Sequence, residues 1–477
     1  MEQSVYLSDN IIGIIGIFLA SAFLIWGAYK KIGALPLMLA GSLIVVIFNR
    51  MPLWHSFSVY FMRGSINPDN PAAIATGYLG FFMTLFLVFV ASTVYTKAME
   101  ETGSIIKIGY KFSEWFGPKR AVVVVFATTA VLTYGGISLF VVVLAVAPLI
   151  MVLFKHANLP RSLAIGPLAA GAITFTMKSL PYSPQATNVI PTTFFGTNLD
   201  SGGAGAFIGI LSAILMIAGQ LWYFKTSEKK VREAGEGFTY MEGTKEENYE
   251  VDEDSLPSTY IAFLPLITVV GLIVGLTFIP SVLQIDLAAR GIAPNAIVVG
   301  SMLFSTALTL VLNMNKIRDI EHLRYIINEG MGGAIRAISG PAAVVGFGGV
   351  VRASPAFLSI VHSLLNMEMN AYGMAAFGAS VVGGVVGSSS AGLLISMEVL
   401  AEPLLASGAN PGVLHRIAAT FAGTFDSLPH STVWFLIFPT LGVTHKEGYK
   451  HAFWTTVFWP TLAGLIVLVV AMVAFGY

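Results

Sequence analysis

Long apolar runs separated by short polar clusters dominate the chain. Runs long enough to cross a bilayer lie at about 11–29, 32–48, 76–97, 161–191, 204–224, 258–280, 292–314, 330–351, 411–440 and 452–476, a spanning helix needing about 20 mostly apolar residues. Two further apolar stretches, about 120–154 and 370–406, are too long for one crossing. Small polar residues interrupt each midway: Gly135, Gly136 and Ser138 in the first, Ser388, Ser389 and Ser390 in the second. Two half-length helices meeting at such a tip predict a re-entrant hairpin, which a bilayer tolerates only where it lines protein or a watery cavity.

Composition narrows the function classes. Hydrophobic residues make up 55% of the 477 positions and charged residues 11%, with a mean hydropathy of +0.77, whereas soluble domains carry about 25% charged residues. A soluble enzyme is excluded. The 26 basic and 26 acidic residues cancel, which removes the electrostatic case for a nucleic-acid partner. Without cysteine there can be no disulfide, thiolate metal site, iron–sulfur cluster or Cys nucleophile. No HExxH, GxSxG or phosphate-binding loop is present, so neither an enzyme nor a bound cofactor or metal is expected. The start, MEQSVYLSDN, lacks a basic region ahead of the first apolar run, which therefore reads as a retained helix.

Lysine placement tests the hairpin reading, because cytoplasmic loops collect Lys and Arg. If neither hairpin crosses, every sorted lysine from Lys30 to Lys450 falls on one side, and the other side holds only arginines: Arg50, Arg63, Arg290, Arg352 and, near a helix start, Arg416. The expectation is ten crossings, a multi-pass protein of the inner (cytoplasmic) cell membrane with both termini outside. The segment 225–257 holds fifteen charged residues and no apolar period, and reads as a cytoplasmic linker between a first repeat at 1–224 and a second at 258–477. Five crossings on each side of it would insert the second half upside down. Internal similarity accompanies this: TMKSLPYS at 176–183 matches TFDSLPHS at 424–431, with Lys178 and Asp426 separated by the common offset of 248 positions. The fold class expected is all-α integral membrane, an inverted repeat of five crossings plus one re-entrant hairpin each, with two broken helices.

The SLPYS and SLPHS segments sit inside runs 161–191 and 411–440, where proline removes a backbone donor and disrupts the preceding turn. A half-helix N-terminus near mid-membrane presents unpaired N–H groups to a carboxylate, and Ser179, Ser183, Ser427, Ser431 and Tyr182 add hydroxyls. The competing reading is a structural proline kink. The tips Gly135, Gly136 and Ser138, and Ser388, Ser389 and Ser390, read either as binding groups or as backbone caps. Glycines such as Gly383, Gly384 and Gly387 read as close helix packing. Ionisable residues within spans are costly and default to functional hypotheses: Lys178, Arg336, Glu398, Glu402, Asp426 and His430 qualify. Lys178, Asp426 and His430 lie on the broken segments and are the candidates for coupling. An ion pair between Lys178 and Asp426 could be structural; alternatively Asp426, one turn from His430, accepts a coupling proton while Lys178 attracts an anion.

The stretches GGISLFVVVLAVAP, LAIGPLAAGAITFTMKSLPYSPQATNVIPTTFFG, GSSSAGLLISMEVL, LHRIAATFAGTFDSLPHS and THKEGYK resemble the gluconate permease (GntP) family over nearly the whole chain. The likeness is to the branch associated with short hydroxy acids such as 3-hydroxybutyrate, where a DSLPH segment carries over to Asp426, Ser427 and His430; Lys178 departs from the small neutral residue of relatives. The resemblance implies a homodimer with a scaffold part and a mobile part containing hairpins and broken helices. It also implies proton symport of a small organic anion. Sodium coupling, a sugar-acid substrate such as gluconate, and a passive anion channel stay open as alternatives.

Overall fold

The computed structural model describes every residue except 1, 31, 65–76, 105–106, 109–110, 112–113, 116–119, 135–138, 184, 240–255, 283–293, 366, 368 and 477. The chain is all-helical, 83% helix, with no strand among the described residues. The first half runs α1 (Glu2–Tyr29), α2 (Ala34–Phe48), α3 (Leu53–His55) continuing into a π-helical turn at Ser56–Phe61, and α4 (Tyr78–Glu101). It continues with the pair α5 (Ala121–Tyr134) and α6 (Leu139–His156), α7 (Arg161–Ile173), a single turn α8 (Phe175–Lys178), α9 (Ala186–Phe195) and α10 (Gly202–Glu233). The second half runs α11 (Thr259–Val282), α12 (Pro294–Leu312), α13 (Ile320–Arg352), α14 (Pro355–Leu365), the pair α15 (Ala371–Val386) and α16 (Ser389–Ala406), and α17 (Pro411–Ala422). After a 3-10 turn at Phe425–Ser427 come α18 (Trp434–Thr440), α19 (His445–Ala452), a π-helical turn at Phe453–Phe458, and α20 (Trp459–Phe475).

Local signals set most of these ends. Gly387 takes the left-handed conformation (φ 68°) that closes α15, and Ser388 then caps α16 by accepting from the Ala391 N–H, a conformation and a cap suited to those residue types. Asn410 caps α17 on the N–H groups of Gly412 and Val413, with Pro411 at the first helical position. Thr444 and Glu447 form a reciprocal capping box on α19.

Four continuous stretches among the described residues are long and apolar enough to cross a bilayer: Ile11–Tyr29, Gly202–Glu233, Ile320–Arg352 and His445–Phe475. The pair Ser389–Met397 and Val399–Ala406 is a further broken one, bent by 56°. Pro403 lacks the N–H that residue 399 would receive, which accounts for a bend there. Several remaining apolar helices, such as Ala34–Phe48 and Ala121–Tyr134, have only 10–17 residues and must be completed by neighbours. α10 extends nine residues into the expected linker, because Lys, Glu and Arg are good helix formers paired one turn apart (Arg232 to Glu228, 2.7 Å; Lys229 to Glu233, 3.7 Å). Gly235, at φ 69°, follows its end.

α4 lies along α13, with α2 against α13 and α12 against α4; α1 pairs with α2, and α11 with α12. α5 packs on α7, α15 on α17, α10 on α17 and α20, and α19 on α7. α7 and α17 are buried almost along their whole length, so the two helices that lead into the breaks form the centre. Phe18, Trp26, Ile214, Trp222, Val469 and Val473 point outward and are exposed, as apolar surface facing lipid does. Glycine lets backbones meet at this centre, where a Cβ on Gly383 would stand 2.7 Å from the Ala422 carbonyl oxygen, and also between α13 and α4, where one on Gly330 would stand 2.7 Å from the Val94 Cα.

Candidate functional site

The breaks do not begin at the prolines. The first starts at Thr174, whose backbone (φ −106°, ψ −114°) leaves the helix while its hydroxyl donates to the Ala170 carbonyl (2.5 Å) and accepts from Gln220 (3.1 Å). The second starts at Gly423. Proline then prevents helix from resuming at once: α9 restarts at Ala186 and α18 at Trp434. Tyr182 lies between, in the left-handed region (φ 62°), with its ring exposed.

The two breaks meet at Lys178. Its side chain is 1% exposed, and its ammonium donates to the carbonyl of Gly423 in the other break. Glycine leaves room for this contact, because a Cβ on Gly423 would stand where the Lys178 ammonium lies and would displace it. Asp426, half-buried, accepts from the Ser427 hydroxyl at 3.0 Å. No Lys178–Asp426 ion pair within 4.0 Å occurs among the described residues; the lysine is held by the Gly423 carbonyl, three positions before the aspartate. The Ser427 carbonyl is fixed by two donors, Trp434 Nε1 (2.8 Å) and Tyr449 Oη (3.1 Å).

Each break is tied to the first arm of its helix pair. Tyr134 Oη donates to the Pro181 carbonyl (3.0 Å) and Gln185 Nε2 to the Thr133 carbonyl (2.7 Å). In the second half, His430 Nε2 bonds the Gly384 carbonyl (3.0 Å) and Ser431 Oγ donates to the Gly387 carbonyl (3.2 Å). A carbonyl partner requires that Nε2 carry a proton, and His430 Nδ1 is buried with no partner among the described residues.

The candidate hydroxyls divide into two sets. Ser183 donates to the Thr176 carbonyl (2.6 Å), Ser179 pairs with Ser212 (3.3 Å), and Ser431 and Ser427 bond as above; their hydroxyls already serve the protein. Ser388 caps its helix. Ser389 and Ser390 are half-buried at the first turn of α16, where neither hydroxyl nor backbone N–H has a hydrogen bond within the described chain. They form an open donor cluster at a helix N-terminus, and the tip they follow is bonded to the second break. Gly135, Gly136 and Ser138 lie outside the described residues, as does the side chain of Glu398. Glu402 is exposed, and Arg336 is exposed beside Glu329 at 3.6 Å, which places both on the surface rather than in the site.

Arg416 belongs with the site, although the lysine sorting sets it among the outer arginines. It is wholly buried and donates to the Lys178 carbonyl (3.2 Å), Asn188 Oδ1 (2.9 Å) and Ser201 Oγ (2.8 Å). His415 adds bonds to Thr197 (2.7 Å) and Asn188 (3.1 Å). The available signal was a His-Arg pair inside the apolar stretch GVLHRIAATFAG. With Lys178, two buried basic side chains flank the breaks, Lys178 with Asp426 and Arg416 with Asp200 as the nearest acids, neither within ion-pair distance among the described residues.

Residues 53–474 match the family model described as GntP family permease. An uncharacterized transporter of Bacillus subtilis (strain 168), YxjC, is 31% identical over 396 residues, covering 78% of this chain and 83% of that relative.

Proposed function

The chain belongs to the GntP permease family, a multi-pass membrane transporter rather than an enzyme, and from that premise we propose that it imports a small hydroxymonocarboxylate by proton symport. The observation that carries this reading is the junction of the breaks: the buried Lys178 ammonium reaches from one to the other, Asp426 follows three positions after its acceptor, and the tip that leads into Ser389 and Ser390 is bonded to the second break through His430 and Ser431. On this reading the carboxylate sits against the N-terminus of α16 and the serine hydroxyls, drawn by Lys178. Asp426, the more accessible titratable group, takes the coupling proton, and His430, whose Nδ1 has no partner among the described residues, is the relay. Tyr182 lies at the mouth.

The same element series occurs in both halves: a helix pair, a long helix, a paired hairpin, a broken helix and a closing helix. This supports an inverted repeat of 1–224 and 258–477 about the linker 225–257. It also supports an elevator-type movement of hairpins and broken helices against a scaffold of α1, α2, α4 and α11–α13, in a homodimer of the inner membrane with both termini outside. Uptake of labelled 3-hydroxybutyrate into proteoliposomes tests the function. Accumulation should follow an inward proton gradient without sodium and should be inhibited by other short hydroxy acids more than by gluconate. Accumulation that follows a sodium gradient alone would replace the coupling ion. Equilibration without accumulation under either gradient would mark a channel.

A further inference from the structure

Two arginines are mounted alike on the helices that lead into the breaks. Arg161 opens α7 and donates to the carbonyl of Leu441 (2.9 Å), in the turn after α18. Arg416 lies in the second turn of α17 and donates to the carbonyl of Leu199 (3.4 Å), in the turn after α9. Each arginine thus leaves the helix before one break and holds the turn that follows the other. Arg416 carries the arrangement further, since its guanidinium bonds three separate segments of the first half: the Lys178 and Leu180 carbonyls (3.2 and 3.5 Å), Asn188 Oδ1, and the 199–201 turn through Leu199 and Ser201. No carboxylate lies within 4.0 Å of it among the described residues, and water does not reach it. A planar fork of five donors matches this set of acceptors, and an ammonium does not.

Packing seals the same seam. A Cβ on Gly412 would collide with the Ser201 carbonyl, one on Gly205 with the Gly412 carbonyl, and one on Gly209 with the Ser179 carbonyl, so α10, α17 and the 197–201 turn touch backbone to backbone. A contact that opened at every turnover would strand a buried cation and several carbonyls without water to replace the lost bonds.

We propose that Arg416 is a positioning residue that locks the two broken helices into one body, with Arg161 as its counterpart at the other end, and that the Arg416 contact stays closed throughout the transport cycle. The proposal rests on the transporter reading above. Its effect on substrate is indirect: by holding the Lys178 and Leu180 carbonyls, Arg416 fixes the segment from which Lys178 reaches across.

The test uses the full-length protein in proteoliposomes, with Arg416→Lys, Arg416→Gln, and a Thr197→Cys/His415→Cys pair bridged by a short bifunctional thiol reagent; the native chain has no other cysteine. Both Arg416 variants should raise KM for 3-hydroxybutyrate by about tenfold or more, with lysine giving no rescue. Hydrogen exchange should quicken at 178–183 and 196–201 but not in α1 and α2. The bridged pair should exchange substrate as fast as the unbridged pair. Loss of exchange on bridging would show a gate that opens each cycle and would overturn the proposal, as would wild-type KM and protection in Arg416→Lys. If Arg416→Gln does not fold, Arg416→Lys and the bridged pair decide the matter. Wild-type protein that takes up no 3-hydroxybutyrate would sink the hydroxy-acid reading alone, because the hydrogen-exchange comparison needs no substrate.

Discussion

Replacing Lys178 with Met separates a brace from a binding group, because the two roles predict opposite balances. Methionine keeps most of the stem's volume and removes the ammonium, whose one hydrogen bond within the described chain goes to the Gly423 carbonyl. Loss of a hydrogen bond to a charged group costs about 1.5–3 kcal/mol, and the orphaned carbonyl adds about 1–3 kcal/mol. Against this, a fully buried cation with no ion-pair partner within 4.0 Å among the described residues no longer has to leave water, which returns several kcal/mol. The opposing contributions are of similar size. Lys178→Met should therefore melt within about 4 °C of the wild type, even though a fully buried charge has been removed. Substrate should suffer far more: loss of one charge-assisted hydrogen bond to a carboxylate, about 1.5–3 kcal/mol, weakens binding by about ten- to a hundredfold. Thermal unfolding in detergent with and without 3-hydroxybutyrate, alongside uptake kinetics, reads both quantities. A variant that melts far below the wild type but keeps its KM would make Lys178 a structural brace and refute the reasoning. Gly423→Ala is the companion, since its methyl group would take the place of the ammonium; it should weaken binding as Lys178→Met does.

Asp426→Asn should abolish accumulation driven by a proton gradient while leaving substrate exchange intact; continued accumulation would pass the coupling role to His430. Among the serines, Ser389→Ala and Ser390→Ala should raise KM with little change in melting temperature, whereas Ser183→Ala, which strips a 2.6 Å bond from the Thr176 carbonyl, should cost about 1 kcal/mol of stability, read by thermal unfolding. Single cysteines at Lys97, Glu236 and Lys450 should react with an impermeant thiol reagent only from the cytoplasm, and one at Asn198 only from outside. Glu236 and Lys450 line one cavity of about 230 Å³ with Arg161 and Glu447, so labelling these two from opposite sides would contradict both the lysine sorting and the packing.

The helices, the polar tip of the second pair and the two interruptions were legible in the sequence, because each depends on residues close together in the chain. Apolar runs set the helices, Gly387 and Ser388 set one tip, Asn410 and Pro411 set the start of α17, and each SLP segment marks an interruption. Tertiary structure decided what those residues touch. The break begins at Thr174, seven positions before Pro181, where Gln220 from α10 bonds the threonine hydroxyl. Ser179 turns to Ser212 while Ser389 and Ser390 stay open, a division that identical residue types cannot reveal. Arg416 reads as one of a few arginines near helix ends, yet its acceptors lie 215–238 positions away along the chain. Lys178 and Asp426 align as a pair of opposite sign, yet the lysine ends on the Gly423 carbonyl. A hydrophobic period or a cap is settled within one or two turns of helix, whereas the partner of a buried polar group depends on which distant backbone the packing brings within 3 Å.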